Sequence, residues 1–387
     1  MSSLGMDCHS TRRTFTALSF SAVGAILAPR IARSEDPVAE CLETRIISPQ
    51  AHFYHGWPTL TRTQKGELIL VWSGRREAHV CPFGAVEMMT SRDDGSTWTW
   101  PRTVYDGPID DRDAGVLETA NGILLVTTFS SLAYAPMVAE GGSRAKDPSW
   151  LAVHHRIADE ETREGELGCW CFRSTDGGLS FSGRIDTIVN SPHGPCQLAD
   201  GRLLYAGKEL WTEEKRIGVA VSSNDGETWE WLAEIPARPG DSVKDYHELH
   251  AVPCESGRIV VQIRNHNTAN KGETLQSEST DGGKTWSIPH PIGVWGLPSH
   301  LLHLRDNRLL MTYGHRRKPF GNQARLSNDE GATWSPPLMI SEDGAGGDLG
   351  YPSTVELDDG SFVSVWYEKI ATSPLAQLRM AKWRIRP

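Results

Sequence analysis

The octapeptide SRDDGSTW, at residues 91–98, returns four more times along this 387-residue chain. The other copies are STDGGLSF at 174–181, SSNDGETW at 222–229, STDGGKTW at 279–286 and SNDEGATW at 327–334. In the shared pattern, Asp or Asn bonds nearby backbone and the glycine takes a positive φ, as a hairpin turn requires. The aromatic residue at the end is expected to pack into a sheet. Because five chance matches are implausible, the octapeptide marks a structural repeat.

A second repeat alternates with the first and consists of a turn residue followed by a run of strand-forming side chains. Its six copies begin at Gly66, Gly122, Gly201, Gly257, Asn307 and Gly360, and they lie 50–56 residues apart except for one interval of 79. Periods near 50, with short strands and no helical periodicity, favour a propeller of four-stranded blades. We therefore predict an all-β fold, a six-bladed β-propeller over residues 35–387.

Two features of the repeats predict departures from a regular ring of blades. The long interval contains a polar, glycine-containing insertion at about residues 133–165, which we expect to be a long loop over one face. The last blade lacks the octapeptide, so we expect the N-terminal strand of the domain to close it.

Composition narrows the class of protein. The formal net charge of −10 argues against non-specific nucleic-acid binding, which needs a basic surface. The sequence contains no phosphate loop, nucleotide fingerprint or nucleophile elbow, and its histidines are spread singly over the blades. We expect no cofactor and no metal site, with a bound divalent cation as the alternative.

The first 34 residues have the features of an export signal. Arg12 and Arg13 precede an apolar run over Phe15–Ala28, and small residues follow near Ala32, as in a cleavable twin-arginine signal peptide. A membrane anchor is the alternative, but a span needs about 20 apolar residues. We therefore expect twin-arginine export to the periplasm or the extracellular space, without stable membrane insertion.

Candidate site residues come from the strands that line the axis of the predicted propeller. The innermost strand of each blade should precede its turn-and-strand repeat, and these stretches are unusually polar, as are the ends of the strands that follow. Salt bridging between blades is the alternative for any single residue, but the whole set favours a ligand site. The candidates are His55, Trp57, Arg75, His79, Asp111, Arg112, Asp113, Glu248, Arg264, Arg316 and Tyr351.

The octapeptides resemble the Asp boxes of the sialidase (neuraminidase) superfamily, and their number and spacing resemble its six-bladed propeller. The resemblance covers about residues 45–387. Asp boxes are specific for the fold and weak for function, because they lie on outer turns away from the axis and non-enzymatic propellers carry them too.

The resemblance implies a nucleophile and its base. The stretch GYPSTVELDDG at 350–360 is similar to the sialidase stretch that holds the nucleophilic tyrosine, which makes Tyr351 the candidate. The stretch with Glu248 is similar to the one that holds the activating glutamate. A neutral phenol suits a substrate whose own carboxylate would repel a carboxylate nucleophile, and the glutamate can take the phenol proton.

The resemblance also implies arginines that bind the substrate carboxylate through paired hydrogen bonds. Arg264 and Arg316 match two arginines of this clamp, although Arg317 is hard to separate from Arg316. Arg75 matches the arginine that ends the second strand of the first blade, and Arg112 is a further substrate-binding candidate.

Two departures from the sialidase pattern concern the first blade. Gly56-Trp57-Pro58 stands where sialidases have Arg-Ile-Pro, so one clamp arginine is absent and Trp57 is expected to stack on a sugar face instead. The stretch that should hold the acid/base aspartate contains none. His79, or Asp111 or Asp113 from the next blade, is the candidate for protonating the leaving group.

These observations together predict an exo-acting, sialidase-like glycoside hydrolase that removes a terminal acidic sugar, such as sialic acid, from a glycan with retention of configuration. A non-catalytic glycan-binding propeller is the first alternative. A hydrolase or lyase acting on another polyanionic glycan, with histidine as the base of the lyase, is the second.

Overall fold

The computed structural model describes residues 37–48 and 50–386, and these form six four-stranded antiparallel sheets. The export signal predicted for residues 1–34 lies outside the described residues and stays a prediction. Within the described ranges, no helix is long and apolar enough to cross a membrane.

Each sheet is one blade, and its strands follow the chain from the innermost to the outermost. Blade 1 contains β2 (Tyr54–Arg62), β3 (Leu68–Arg76), β4 (Ala85–Ser91) and β5 (Arg102–Tyr105). Blade 2 contains β6 (Asp110–Glu118), β7 (Leu124–Ser131), β8 (Gly168–Ser174) and β9 (Ile185–Asp186). Blade 3 contains β10 (Cys196–Gln197), β11 (Leu203–Lys208), β12 (Ile217–Ser222) and β13 (Glu230–Glu234).

The remaining blades repeat the arrangement with one exception. Blade 4 contains β14 (Tyr246–Pro253), β15 (Ile259–Asn265), β16 (Leu275–Ser279) and β17 (His290–Pro291). Blade 5 contains β18 (Ser299–His303), β19 (Leu309–His315), β20 (Gly321–Ser327) and β21 (Leu338–Ser341). Blade 6 contains β22 (Leu349–Glu356), β23 (Phe362–Ile370) and β24 (Ser373–Arg386), and its outermost strand is β1 (Val38–Ile46).

The ring of blades is closed as the sequence predicts. Strand β1 pairs with β24 in antiparallel register from Val38 opposite Arg386 to Ile46 opposite Arg379. The innermost strands β22 and β2 also contact each other, which joins blade 6 to blade 1. The six-bladed propeller is therefore confirmed.

The octapeptides form the turns between the third and fourth strands of blades 1 to 5, as their hydrogen bonds explain. In the first copy, Gly95 N–H donates to Ser91 Oγ at 2.9 Å, and Thr97 donates from N and Oγ1 to the carboxylate of Asp93 at 2.8 and 2.7 Å. The two bonds from Thr97 are the main cause that lowers the pKa of Asp93 to about 2. Gly95 has a φ of +83°, which a glycine adopts without strain.

The insertion in blade 2 differs from the predicted long loop, because it contains three short helices. They are α1 (Ala135–Val138), α2 (Pro148–His154) and α3 (Glu160–Glu164). Asp147 caps α2 through Ser149 N at 3.1 Å, with Pro148 in the first turn, and Asp159 caps α3. These are ordinary helix-start signals, but each helix is too short to show a helical period.

The octapeptide tryptophans should stabilise the fold although they lie away from the axis. Trp229 is buried against Tyr205, with ring centroids 5.9 Å apart. Trp229→Ala is expected to lower the free energy of unfolding by about 3–5 kcal/mol, measured by denaturant titration. Trp100→Ala is the matched control, because Trp100 is 66% exposed and should lose less than about 0.5 kcal/mol. Equal losses in the two variants would contradict the assigned packing.

Candidate active site

Four side chains reach the axis through the same backbone irregularity. Trp57, Asp113, Glu248 and Tyr351 lie on the innermost strands of blades 1, 2, 4 and 6, with φ values of +53°, +50°, +37° and +53°. Each lies where the register between its strand and the next one shifts. Positive φ is uncommon outside glycine and is an outlier for bulky residues such as Trp57 and Tyr351, and β-bulges commonly re-aim a side chain beside an active site. The bulges therefore mark this end of the axis as a functional site.

The bulge at Tyr351 depends on close contact between two backbones. Gly350, just before it, has a φ of +117°, and a Cβ there would lie 3.2 Å from the Cα of Gly314 in blade 5. A side chain at this position would be both strained and crowded, so glycine is what lets Tyr351 turn toward the axis.

Tyr351 and Glu248 form the central contact. The Tyr351 hydroxyl donates to Glu248 Oε1 at 2.5 Å. Arg264 Nη1 donates to Glu248 Oε2 at 2.5 Å and to the Tyr351 oxygen at 3.1 Å. Arg264 Nε donates to His266 Nε2 at 2.9 Å, which fixes the plane of the guanidinium. The phenol, the carboxylate and the guanidinium thus hold one another in place.

The electrostatics of this group separate the two acids. Burial opposes ionisation of Glu248, but Arg264 and the hydrogen bonds outweigh it and lower the pKa of Glu248. Burial and the charge of Glu248 raise the pKa of Tyr351 well above its ordinary value. The resting pair is therefore a neutral phenol bonded to a carboxylate, which is the state a tyrosine nucleophile with a glutamate base requires.

Asp113 faces the same centre in a different protonation state. Its side chain is buried, and Oδ1 has no hydrogen-bond partner within residues 37–48 and 50–386. Burial raises the pKa of Asp113 to about 7, although Arg112 lowers it, and the charge of Glu248 raises it further, so this carboxyl keeps its proton to a higher pH than an ordinary aspartate. A neutral carboxyl beside an ionised one is the arrangement that separates a proton donor from a base.

Two arginines present guanidinium groups at the site. Arg316 Nε donates to Leu349 O at 2.9 Å, and its guanidinium lies 5.7 Å from the centroid of the Tyr351 ring. Arg317 is exposed and stacks on Trp295, so Arg316 is the arginine at the centre. Arg112 lies over the ring of Trp57 at 4.4 Å. Among the described residues, neither Arg112 nor Arg316 has a carboxylate partner within salt-bridge distance.

Two predicted residues point away from the centre. Arg75 is directed to the outer part of blade 1, where it lies 3.4 Å from Glu87 and 3.1 Å from Asp106. Asp111 is buried and accepts from Gly107 N at 2.6 Å and Ser130 Oγ at 2.8 Å, although burial raises its pKa to about 8. Its oxygens are occupied by the blade, so neither residue belongs to the proposed site.

Three other candidates lie around the centre, two of them buried and one at the rim. His55 is fully buried beside Trp72, and burial lowers its pKa to about 4. Trp57 lies at the axis but is only 1% exposed beneath Arg112, so its ring face is not available to stack on a sugar. His79 lies at the rim, where its Nδ1 is 2.7 Å from Tyr54 Oη.

An ion pair at the axis escapes the sequence reasoning. Arg76 is fully buried and bonds Asp110 through two nitrogens, at 2.6 and 2.9 Å. The alternation of a strand places Arg75 and Arg76 on opposite faces but cannot say which one faces inward. The positive φ of Arg75, +56°, interrupts that alternation just before Arg76. In the sequence, only the pair of adjacent arginines, Arg75-Arg76, indicated that one of them could face the axis.

Three histidines from neighbouring blades also meet beneath the site. The ring centroids of His193, His250 and His300 lie 4.7–5.2 Å apart, and His193 is 6.5 Å from Tyr351. Burial lowers the pKa of all three, to about 3 for His250, so they are neutral. A cavity of about 540 Å³ lies on their other side. No three His, Cys, Asp or Glu side chains of the described chain are placed to hold a metal ion.

Comparisons with known proteins agree with this architecture. The family model of the BNR repeat-like domain matches residues 142–364, more than half of the chain. A sialidase from Bacteroides fragilis is 22% identical in an alignment 342 positions long that covers 80% of this chain and 59% of the relative. The chain thus spans 59% of the length of that curated relative.

Solved structures show the same fold. A protein of unknown function from Dyadobacter fermentans superimposes with a TM-score of 0.74 at 24% identity, over 90% of this chain and 99% of that one. The intramolecular trans-sialidase from Ruminococcus gnavus, in complex with oseltamivir carboxylate, superimposes with a TM-score of 0.63 at 13% identity. That match covers 87% of this chain and 95% of the other. The chain belongs to the BNR repeat-like family and is a six-bladed propeller of the sialidase superfamily.

Proposed function

We propose that this protein is an exo-acting glycoside hydrolase that removes a terminal acidic sugar, such as sialic acid, with retention of configuration. The observation that carries the proposal is the hydrogen bond of 2.5 Å between the Tyr351 hydroxyl and Glu248, braced by Arg264. The Bacteroides relative is a sialidase, and the Ruminococcus structure holds a carboxylate-bearing ligand, which supports an acidic sugar as substrate.

The reaction proceeds in two displacements. Tyr351 Oη attacks the anomeric carbon as its proton passes to Glu248, and the leaving oxygen takes the proton of Asp113. Asp113, now ionised, then takes a proton from a water molecule that attacks the same carbon. The bond to Tyr351 breaks, and Glu248 returns its proton to the phenol. Two inversions at one carbon give net retention.

The positive charge in the pocket selects the anion. Arg264 Nη1 lies 2.5 Å from Glu248 Oε2, so the charge of Arg264 is largely neutralised within the protein. Arg316 and Arg112 have no such partner among the described residues, and a substrate carboxylate would satisfy them. A guanidinium binds a carboxylate in two parallel hydrogen bonds, which a Lys ammonium cannot reproduce.

Two substitutions should separate chemistry from binding. Tyr351→Phe is expected to leave the affinity for a sialoside nearly unchanged and to remove its turnover. Arg316→Ala should weaken binding by roughly 1.5–3 kcal/mol, with partial recovery in Arg316→Lys and no loss for an analogue whose carboxylate is neutral. Calorimetry and release of an aryl aglycone measure the two effects.

The control is Tyr367→Phe, which changes a buried tyrosine 5.7 Å from Tyr351 and should keep most of the turnover. Binding of sialosides without turnover by the wild-type chain would identify a non-catalytic glycan-binding propeller. An unsaturated product would identify a lyase. Equal loss of neutral and acidic glycans in Arg316→Ala would show that the arginine is structural.

The neutral state of Asp113 has a measurable effect on stability. Aspartate in the unfolded chain ionises near pH 4, whereas the raised pKa in the folded protein holds the proton to higher pH. The unfolded state then binds fewer protons, so the contribution of Asp113 to stability is full below pH 4 and falls as the pH rises toward neutrality. Relative to wild type, Asp113→Asn should gain about 1–3 kcal/mol between pH 4 and pH 8, measured by denaturant unfolding. A difference independent of pH would mean that Asp113 is already ionised.

A further inference from the structure

Aromatic side chains continue outward from the axis along blades 2 and 3. Phe129 on β7 lies directly opposite Arg112 on β6, so the two side chains share one face of the sheet. Trp211, which follows β11 in blade 3, lies against Phe129 with ring centroids 6.2 Å apart. Since Arg112 also covers Trp57, a row of flat groups extends from the axis through Arg112 and Phe129 to Trp211.

The outer end of this line is open to solvent at the same end of the propeller as the site. Strand β11 ends at Lys208 and β7 ends at Ser131, the ends that correspond to Arg264 on β15. Trp211 is 43% exposed and Phe129 is partly exposed. Single exposed apolar residues need no explanation, but a patch that continues the candidate active site favours an interaction surface.

The shape and chemistry of this surface fit a sugar chain. Pyranose rings carry apolar C–H faces that pack on flat aromatic groups, and their hydroxyl edges stay in water at an open rim. We propose that Phe129 and Trp211 bind the second and third sugars of a glycan whose terminal sugar lies at Tyr351. This inference rests on the proposed function, because the position of the terminal sugar sets the direction of the chain.

A packing role for Trp211 alone is the competing explanation, because its ring covers part of Phe129 between two blades. Packing predicts lower stability and equal effects on every substrate. A binding role predicts a loss that depends on the length of the glycan. Trp100 provides the matched control, since it is 66% exposed and follows the octapeptide of blade 1 at the opposite end of the propeller.

The test compares methyl α-sialoside, which has one sugar, with the trisaccharide 3′-sialyllactose. Trp211→Ala and Phe129→Ala should raise KM for the trisaccharide about fivefold to tenfold and leave kcat/KM for the methyl sialoside within twofold. Trp100→Ala should change neither. Equal losses on both substrates, or no loss on the trisaccharide, would overturn the inference.

A second measurement keeps this inference separate from the proposed activity. The full chain carrying Tyr351→Phe, with and without Trp211→Ala, is tested for binding to immobilised glycans of one to six sugars. A loss that grows from one to three sugars supports the binding surface even if the wild-type chain turns over no sialoside, a result that would overturn the proposed function alone. A loss that does not depend on length, or a chain that binds none of these glycans, would overturn the surface.

Discussion

The site depends on β-bulges in the innermost strands of the blades. In a regular strand, successive side chains alternate between the faces that pack against the neighbouring blades, and none is directed along the axis. Residues with a left-handed backbone conformation break that alternation in four blades. They are Trp57, Asp113, Glu248 and Tyr351. Such conformations cost about 1–3 kcal/mol each and persist because the surrounding sheet holds them. The outer strands and their Asp-box turns supply that rigid frame.

Some of the charged groups at the axis form ion pairs within the protein, and others do not. Arg76 with Asp110 and Arg264 with Glu248 neutralise each other inside the protein. Burial raises the pKa of Asp113, and the guanidinium groups of Arg112 and Arg316 remain without carboxylate partners in the described chain. Under the proposed function, Glu248 is the base and Asp113 the proton donor, and the positive charge of Arg112 and Arg316 attracts the anionic sugar.

The sequence predicted the fold well because two short repeats carried it. The octapeptide is determined by local hydrogen bonds, and the six copies of the turn-and-strand repeat set the number of blades. Tyr351, Glu248 and Arg264 were also found, because the resemblance supplied stretches in which to look. Asp113 joins this group only because of a β-bulge in its strand. The local sequence indicates such bulges only through neighbouring glycines, such as Gly350 before Tyr351.

Other residues could not be placed for physical reasons. Strand alternation does not identify the inward face, so Arg75 was chosen where Arg76 reaches the axis. The contact among His193, His250 and His300 joins residues about 50 apart in sequence, one from each of three blades. Trp57 was expected to stack on a sugar, but Arg112 covers it. In each case the deciding contact comes from a different strand or blade.

The most direct test of the Tyr351 nucleophile is to trap the glycosyl intermediate with a 2,3-difluorosialic acid and to locate the adduct by peptide mass spectrometry. We predict one added sugar on the peptide containing Tyr351 and no adduct in Tyr351→Phe. An adduct on Glu248 or Asp113, or turnover with no adduct and an inverted product, would contradict it.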